Sequence, residues 1–226
     1  MLVPIAFAVV FGCAPQRTSD PSSIAPSQPV KPTILRIALD RDPPSFGSRF
    51  GGFNGRYNQL INAFLARIDH RGELLPYLAE RLPTQEDGTW VVNADGTMRT
   101  TWTLRSDIRW QDGEPVTAAD VVFASKLYSD PELTVEPSGS SRSEPFISSV
   151  VALNDRSFQV NWTQPKVEAG QPKEGDLVPL PRHLLEERYD GGDKQAFNVA
   201  SFWTTSEYVG AGPYRVTKRD QASASR

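Results

Sequence analysis

The large apolar residues of this chain come in short blocks separated by Pro, Gly, Asp and Asn, and the spacing inside each block predicts its conformation. Residues 1–12 (MLVPIAFAVVFG) form an apolar run that ends in small residues. Residues 14–32 hold only Ile24 and Val30 as sizeable apolar side chains among Pro, Ser, Thr and Gln. Such a stretch buries too little surface to offset its chain entropy and reads as an extended, disordered tether. Residues 33–40 (TILRIALD) read as a buried first strand. Residues 42–55 contain Pro43, Pro44, Gly47, Gly51, Gly52 and Gly55, which predicts a long irregular loop. Leu60, Ile61, Phe64, Leu65 and Ile68 recur at helical spacing and predict an amphipathic helix over 56–68. Residues 73–82 predict an extended segment with one helical turn after Pro76.

Further along, the pattern alternates. Residues 89–93 and 97–104 flank Ala94-Asp95-Gly96 and predict a β-hairpin, because Asp-Gly readily adopts the turn that two such strands need. A second reversal is expected at Asp112-Gly113. Thr117-Ala118-Ala119-Asp120 has the capping-box pattern, opening a helix that carries Val121, Val122, Ala124, Ser125 and Tyr128 and stops at Asp130-Pro131. Residues 149–153 and 158–162, joined through Asn154-Asp155, predict another hairpin. Residues 137–145 and 164–176 read as solvated loops. Residues 180–189 predict a short helix with Pro181 in its first turn. Residues 209–218 hold Gly210-Ala211-Gly212-Pro213-Tyr214, followed by a strand. The whole predicts an α/β chain of hairpins and flanking helices.

Composition removes several functions. The 226 residues carry a formal net charge of −3, with no clustered basic footprint of the kind nucleic acid requires. No apolar run reaches the roughly 18 residues of a membrane span. A lone cysteine, Cys13, allows neither an internal disulfide nor a Cys-based zinc cluster. The two histidines, His70 and His183, are far apart in sequence and lack a nucleophile motif. His70 reads as a turn residue and His183 as packed at a helix start. No Gly-rich loop ends in Lys-Ser/Thr, so ATP hydrolysis is not expected of this chain. No metal site and no cofactor are expected.

Two resemblances carry the functional expectation. Val10-Phe11-Gly12-Cys13 resembles the bacterial lipobox, in which the cysteine is lipidated and the peptide is cut before it. Residues 1–13 are then a signal peptide ending in the lipidated Cys13, and residues 14–32 the tether. Downstream, Thr101-Trp102-Thr103-Leu104-Arg105, Ile108-Arg109-Trp110 and Asp112-Gly113-Glu114-Pro115-Val116-Thr117-Ala118-Ala119-Asp120-Val121-Val122-Phe123 resemble the signature of family 5 extracellular solute-binding proteins of ABC importers. Four further landmarks are similar and fall in the family's order. They are Leu35-Arg36-Ile37-Ala38, Gly72-Glu73-Leu74 with Pro76-Tyr77-Leu78-Ala79, Val178 to Leu185, and Gly210-Ala211-Gly212-Pro213-Tyr214.

The resemblance implies a class II periplasmic-binding-protein-like α/β fold with a mixed sheet. Residues 33–226 would be the N-terminal part of its first lobe, with the second lobe missing. It implies no enzymatic activity. It implies capture of a peptide or other small solute, delivery to an ABC permease with its ATPase subunits, a monomeric state, and an extracytoplasmic location on a lipid anchor. The signature segment itself reads as structural. The loop after the first strand would look into the cleft, making Phe50, Phe53, Asn54 and Tyr57 ligand-binding candidates: aromatics to stack, an amide to donate and accept. Gly210, Gly212 and Tyr214 are candidates because they sit where the chain would cross between lobes. A non-functional or interaction-only fragment of a longer binding protein is one alternative. An α/β hydrolase is another, but it would need a carboxylate cluster that the sequence does not offer.

Overall fold

The computed structural model describes residues 34, 36–37, 44–47, 58–133, 146–170 and 177–220. The chain divides into two units, Met1–Asp40 and Arg41–Arg226. In the first unit, Ile34 and Ile37 are exposed and belong to no strand. The buried strand expected over 33–40 is therefore not formed by its described residues, which find no ladder partner among the described residues. Everything that follows lies within the second unit.

Its elements, in order, are α1 (Asn58–Ile61), β1 (Ala66–Ile68), β2 (Leu74–Pro76), β3 (Trp90–Val92), β4 (Met98–Thr103), α2 (Ala118–Tyr128), β5 (Ile147–Ala152), β6 (Ser157–Trp162), α3 (Arg182–Asp190), α4 (Lys194–Asn198) and a 3₁₀ turn (Ser201–Trp203). β1 and β2 form one antiparallel pair, and the other four strands form an antiparallel sheet in the order β3-β4-β6-β5. All pairings among the described strands are thus antiparallel.

The period-2 alternation of β4 and β6 places Met98, Thr100 and Trp102 opposite Trp162, Val160 and Phe158 on one buried face. Thr100 is fully buried among them because it serves two indoles. Its Oγ1 accepts from Trp162 Nε1 at 3.1 Å and from Trp102 Nε1 at 3.3 Å. The expected hairpin closes at Asn93, whose N–H donates to Thr97 O at 2.8 Å, and Gly96 takes φ +85° in the turn. α2 starts at the expected capping box, with the Asp120 carboxylate accepting from Thr117 N at 2.8 Å and Thr117 Oγ1 at 3.0 Å.

α2 is buried on two sides. Ala118 and Val121 join the core under the sheet with Trp102, Leu104, Trp110 and Phe158. Phe123, Ala124, Leu127 and Tyr128 join a second, aromatic core with Phe46, Tyr189, Phe197, Phe202, Trp203 and Tyr208. The rings of Phe197–Trp203 and Phe202–Trp203 meet edge-on, 5.5 and 5.1 Å between centroids. α4 and the 3₁₀ turn, which build this second core, have no counterpart in the sequence pattern.

Five expectations need correcting. The helix expected over 56–68 stops at Ile61. Beyond it, Tyr77 and Ala79 donate to Leu65 O and Leu78 donates to Phe64 O, so this apolar run spends its backbone bonds on a neighbour rather than on itself. The helical turn expected after Pro76 is extended instead, because Ala79 bridges Leu104 and Glu80 N donates to Thr103 O at 2.8 Å. The loop over 164–176 is not simply solvated: Ala169 and Gly170 are buried, with Gly170 lying directly under the Trp90 ring. The third helix runs Arg182–Asp190, beginning two residues later than expected, with Pro181 at its N-cap. No strand follows Tyr214 among the described residues, since Pro213 lacks an N–H and the neighbouring carbonyls are taken by a side chain.

Candidate functional site

Three segments meet beside α1. The first is the loop stem Ser45–Phe46–Gly47, the second is α1 itself, and the third is residues 209–214. Asn62, the residue after α1, joins the first two. Its Nδ2 donates to Phe46 O at 2.9 Å and to Asn58 Oδ1 at 2.6 Å. Tyr208 Oη donates to Asn62 Oδ1, and Phe46 N donates to Trp203 O at 2.8 Å. Asn58, Asn62 and Ser45 are all buried, so these bonds satisfy groups that water cannot reach. Burial pushes the Tyr208 hydroxyl far above its ordinary value, which keeps it a neutral donor.

The third segment lies on the end of α1. Gly212 N donates to Ile61 O and Tyr214 N to Leu60 O, both at 2.8 Å. A Cβ on Gly210 would sit 2.0 Å from Ile61 O, and one on Gly212 would sit 2.4 Å from Ile61 C. Both glycines thus lie against Ile61. Their close approach is to the protein's own backbone. Tyr214, on the same stretch, is 52% exposed.

Gln111 closes the assembly from the other side. Its N donates to Gly210 O at 3.0 Å, and its Oε1 accepts from Gly210 N at 3.1 Å. Its Nε2 faces Tyr214 O at 2.6 Å, Gly212 O at 3.0 Å and Ile61 O at 3.4 Å. Gln111 is held by the Asp112-Gly113 reversal, where Trp110 N donates to Glu114 O at 2.8 Å and Gly113 takes φ +101°. Asp112 in turn meets His183 Nε2 at 2.7 Å, tying the reversal to the first turn of α3. His183 thus packs at a helix start, as expected, and His70 lies in the turn between β1 and β2.

Of the candidates expected to contact a ligand, Gly210, Gly212 and Tyr214 fall together here. Phe50, Phe53, Asn54 and Tyr57 lie outside the described residues, as does Cys13. The residues at either end of that undescribed stretch, Gly47 and Asn58, belong to the first two segments. Sequence reasoning missed Asn62, Tyr208 and Gln111. Asn62 had a signal, being a polar residue in the middle of the apolar run LINAFL; Gln111 had none. Among the described residues, no group of three or more His, Cys, Asp or Glu is placed to hold a metal ion. None of the described helices is long and apolar enough to cross a membrane.

Residues 73–225 match the family described as bacterial extracellular solute-binding proteins, family 5 Middle, and the chain belongs to that family. The chain is 26% identical over 200 residues to the dipeptide-binding protein DppE of Bacillus subtilis, covering 82% of this chain and 33% of that protein. It is 29% identical over 176 residues to the periplasmic oligopeptide-binding protein OppA of Haemophilus influenzae, covering 70% of this chain and 28% of that protein. Its fold matches the crystal structure of an oligopeptide-binding protein from Thermus thermophilus complexed with pentapeptide. The TM-score is 0.65 at 17% identity, over 80% of this chain and 34% of that one. The chain therefore spans about a third of the length of these relatives. The family consists of transport binding proteins, not enzymes.

Proposed function

We infer that this chain serves the extracytoplasmic capture of a peptide-like solute for an ABC importer, as the N-terminal part of a two-lobed receptor. The family match over residues 73–225, with peptide-binding proteins among the relatives, carries the reading. The site supports it chemically. Phe50, Phe53, Asn54 and Tyr57 fall in sequence between Gly47 and Asn58, and Asn58 begins α1, on which the segment bearing Tyr214 rests. Aromatic side chains and an amide are residue types that suit a peptide, whose own backbone offers donors and acceptors in an extended line. In this reading Gly210 and Gly212 act by letting the segment lie flat on Ile61, and Tyr214 is the group offered to the solute. A permease with its ATPase subunits receives the load, and lipid on Cys13 holds the receptor at the membrane surface, residues 14–32 serving as the tether.

Native mass spectrometry of the protein, expressed from its complete gene in a bacterial host and purified under mild conditions, tests the reading. Peptide adducts that leave on mild unfolding are expected. A bare mass throughout, with no adduct after incubation with mixed di- to pentapeptides, would contradict it.

A further inference from the structure

The sequence signature of this family identifies the chain, yet a residue in the gap between two of its parts touches the site directly. Gln111 sits between the core residue Trp110 and the Asp112-Gly113 reversal, and its amide makes polar contacts with residues 50 and about 100 positions away. The orientation of that amide is set by chemistry. Oε1 faces an N–H (Gly210) and Nε2 faces three carbonyls (Tyr214, Gly212 and Ile61). Reversing it would set N–H against N–H and oxygen against oxygen.

We propose that Gln111 is the positioning residue of the site: its side chain sets the height and direction of residues 210–214 on α1, and so where Tyr214 is presented. The inference rests on the reading above that Tyr214 faces a solute. Among the described residues the backbone bonds from this segment to α1 are two, Gly212 N to Ile61 O and Tyr214 N to Leu60 O. Ile61 O is also within reach of Gln111 Nε2, so the same carbonyl is read from two directions. The segment's own carbonyls at Gly212 and Tyr214 are captured by Gln111 alone among the described residues. Past Tyr214 the chain enters no ladder among the described residues. A local filler of hydrogen bonds would affect only the groups it touches. A positioning residue would also govern bonds in which it takes no part.

That difference is measurable by amide hydrogen exchange, read residue by residue by NMR in the wild-type chain and in Gln111→Ala. Gly210 N loses its acceptor in the variant and exchanges faster on any account. The amides of Gly212 and Tyr214 keep their acceptors, Ile61 O and Leu60 O. The proposal expects both to exchange at least about tenfold faster in Gln111→Ala, while Val160 in the central strand β6 keeps its wild-type protection. Unchanged exchange at Gly212 and Tyr214 would overturn it. Should Gln111→Ala lose protection at Val160, Gln111→Met is read in its place, since it keeps the length and removes every side-chain polar bond. A peptide titration of the same variants separates the two ideas. Faster Gly212 and Tyr214 exchange with no peptide binding even in the wild type leaves the clasp standing and removes the solute. Peptide binding that Gln111→Ala leaves at wild-type affinity overturns the positioning role.

Discussion

The carboxylate of Asp120 accepts a hydrogen bond from the backbone N–H of Arg182 at 3.0 Å, so one buried side chain serves the start of two helices. Its other oxygen accepts from Thr117 N and Oγ1 at the start of α2. Both helix starts are rich in unpaired N–H groups and favour a negative charge. Asp120→Ala strands these donors in the interior. The expected loss is about 3 kcal/mol, combining a lost cap with buried unsatisfied N–H groups. Asp120→Asn should lose less, since one oxygen remains. Urea unfolding checks both, and a loss at Asp120→Ala no larger than a surface substitution would refute the shared cap.

Tyr189 and Asp130 form a second coupled pair, with Tyr189 Oη donating to Asp130 Oδ2 at 2.6 Å. Burial and the neighbouring carboxylate push the Tyr189 hydroxyl up to about 12, and the same bond holds the Asp130 carboxyl below its ordinary value. The signs differ. The tyrosine contributes stability that is fully present below its unfolded value of about 10 and is lost as pH rises toward about 12. The aspartate contributes stability that is present above its unfolded value and is lost as pH falls through its lowered one. Tyr189→Phe should cost about 2 kcal/mol at neutral pH. It should also flatten the decline of the urea midpoint on both the acid and the alkaline side. Equal slopes in variant and wild type would contradict the coupling.

Gly210→Ala tests the docking of residues 209–214 on α1. The new methyl would fall 2.0 Å from Ile61 O, a backbone atom that cannot swing aside. About 2 kcal/mol of stability should be lost to overpacking. Gly96→Ala is the contrast. Nothing lies within 4 Å there, and only its φ of +85° opposes the change, at about 1 kcal/mol. If the two substitutions unfold alike in urea, the close approach is not what demands glycine at 210.

What the sequence made legible follows from how local each signal is. The Asp95-Gly96 hairpin, the Asp112-Gly113 reversal and the Thr117–Asp120 cap are settled by residues within a few positions of one another, and each formed as expected. The run from Leu60 to Ile68 satisfies a helical period, yet its helix ends at Ile61, because the carbonyls of Phe64 and Leu65 accept from the backbone N–H groups of Tyr77, Leu78 and Ala79. Periodicity cannot see a competing partner 12 to 14 residues away. The aromatic core was also hidden. Its rings come from Phe46, Phe123, Tyr189, Phe197, Trp203 and Tyr208, spread over most of the second unit with no shared spacing. Of the site, the glycines and Tyr214 were visible as a motif. Gln111 was not, because one amide with partners at 61 and 210–214 leaves no pattern along the chain.

Cys13→Ser tests the proposed anchor. The protein expressed with its native leader should move from the membrane pellet to the soluble fraction, and palmitate labelling should vanish. A variant that still pellets, or a wild type that takes no label, would contradict lipidation at this residue.

The central claim is that this chain belongs to a receptor for peptide-like solutes. The most direct measurement is a titration of the protein with defined di- to pentapeptides, followed by fluorescence of its five tryptophans and by calorimetry. A saturable signal with micromolar affinity, weakened at least about tenfold by Tyr214→Ala, is the predicted result. Absence of saturable binding to every peptide length by both readouts, with the fold intact, would contradict it.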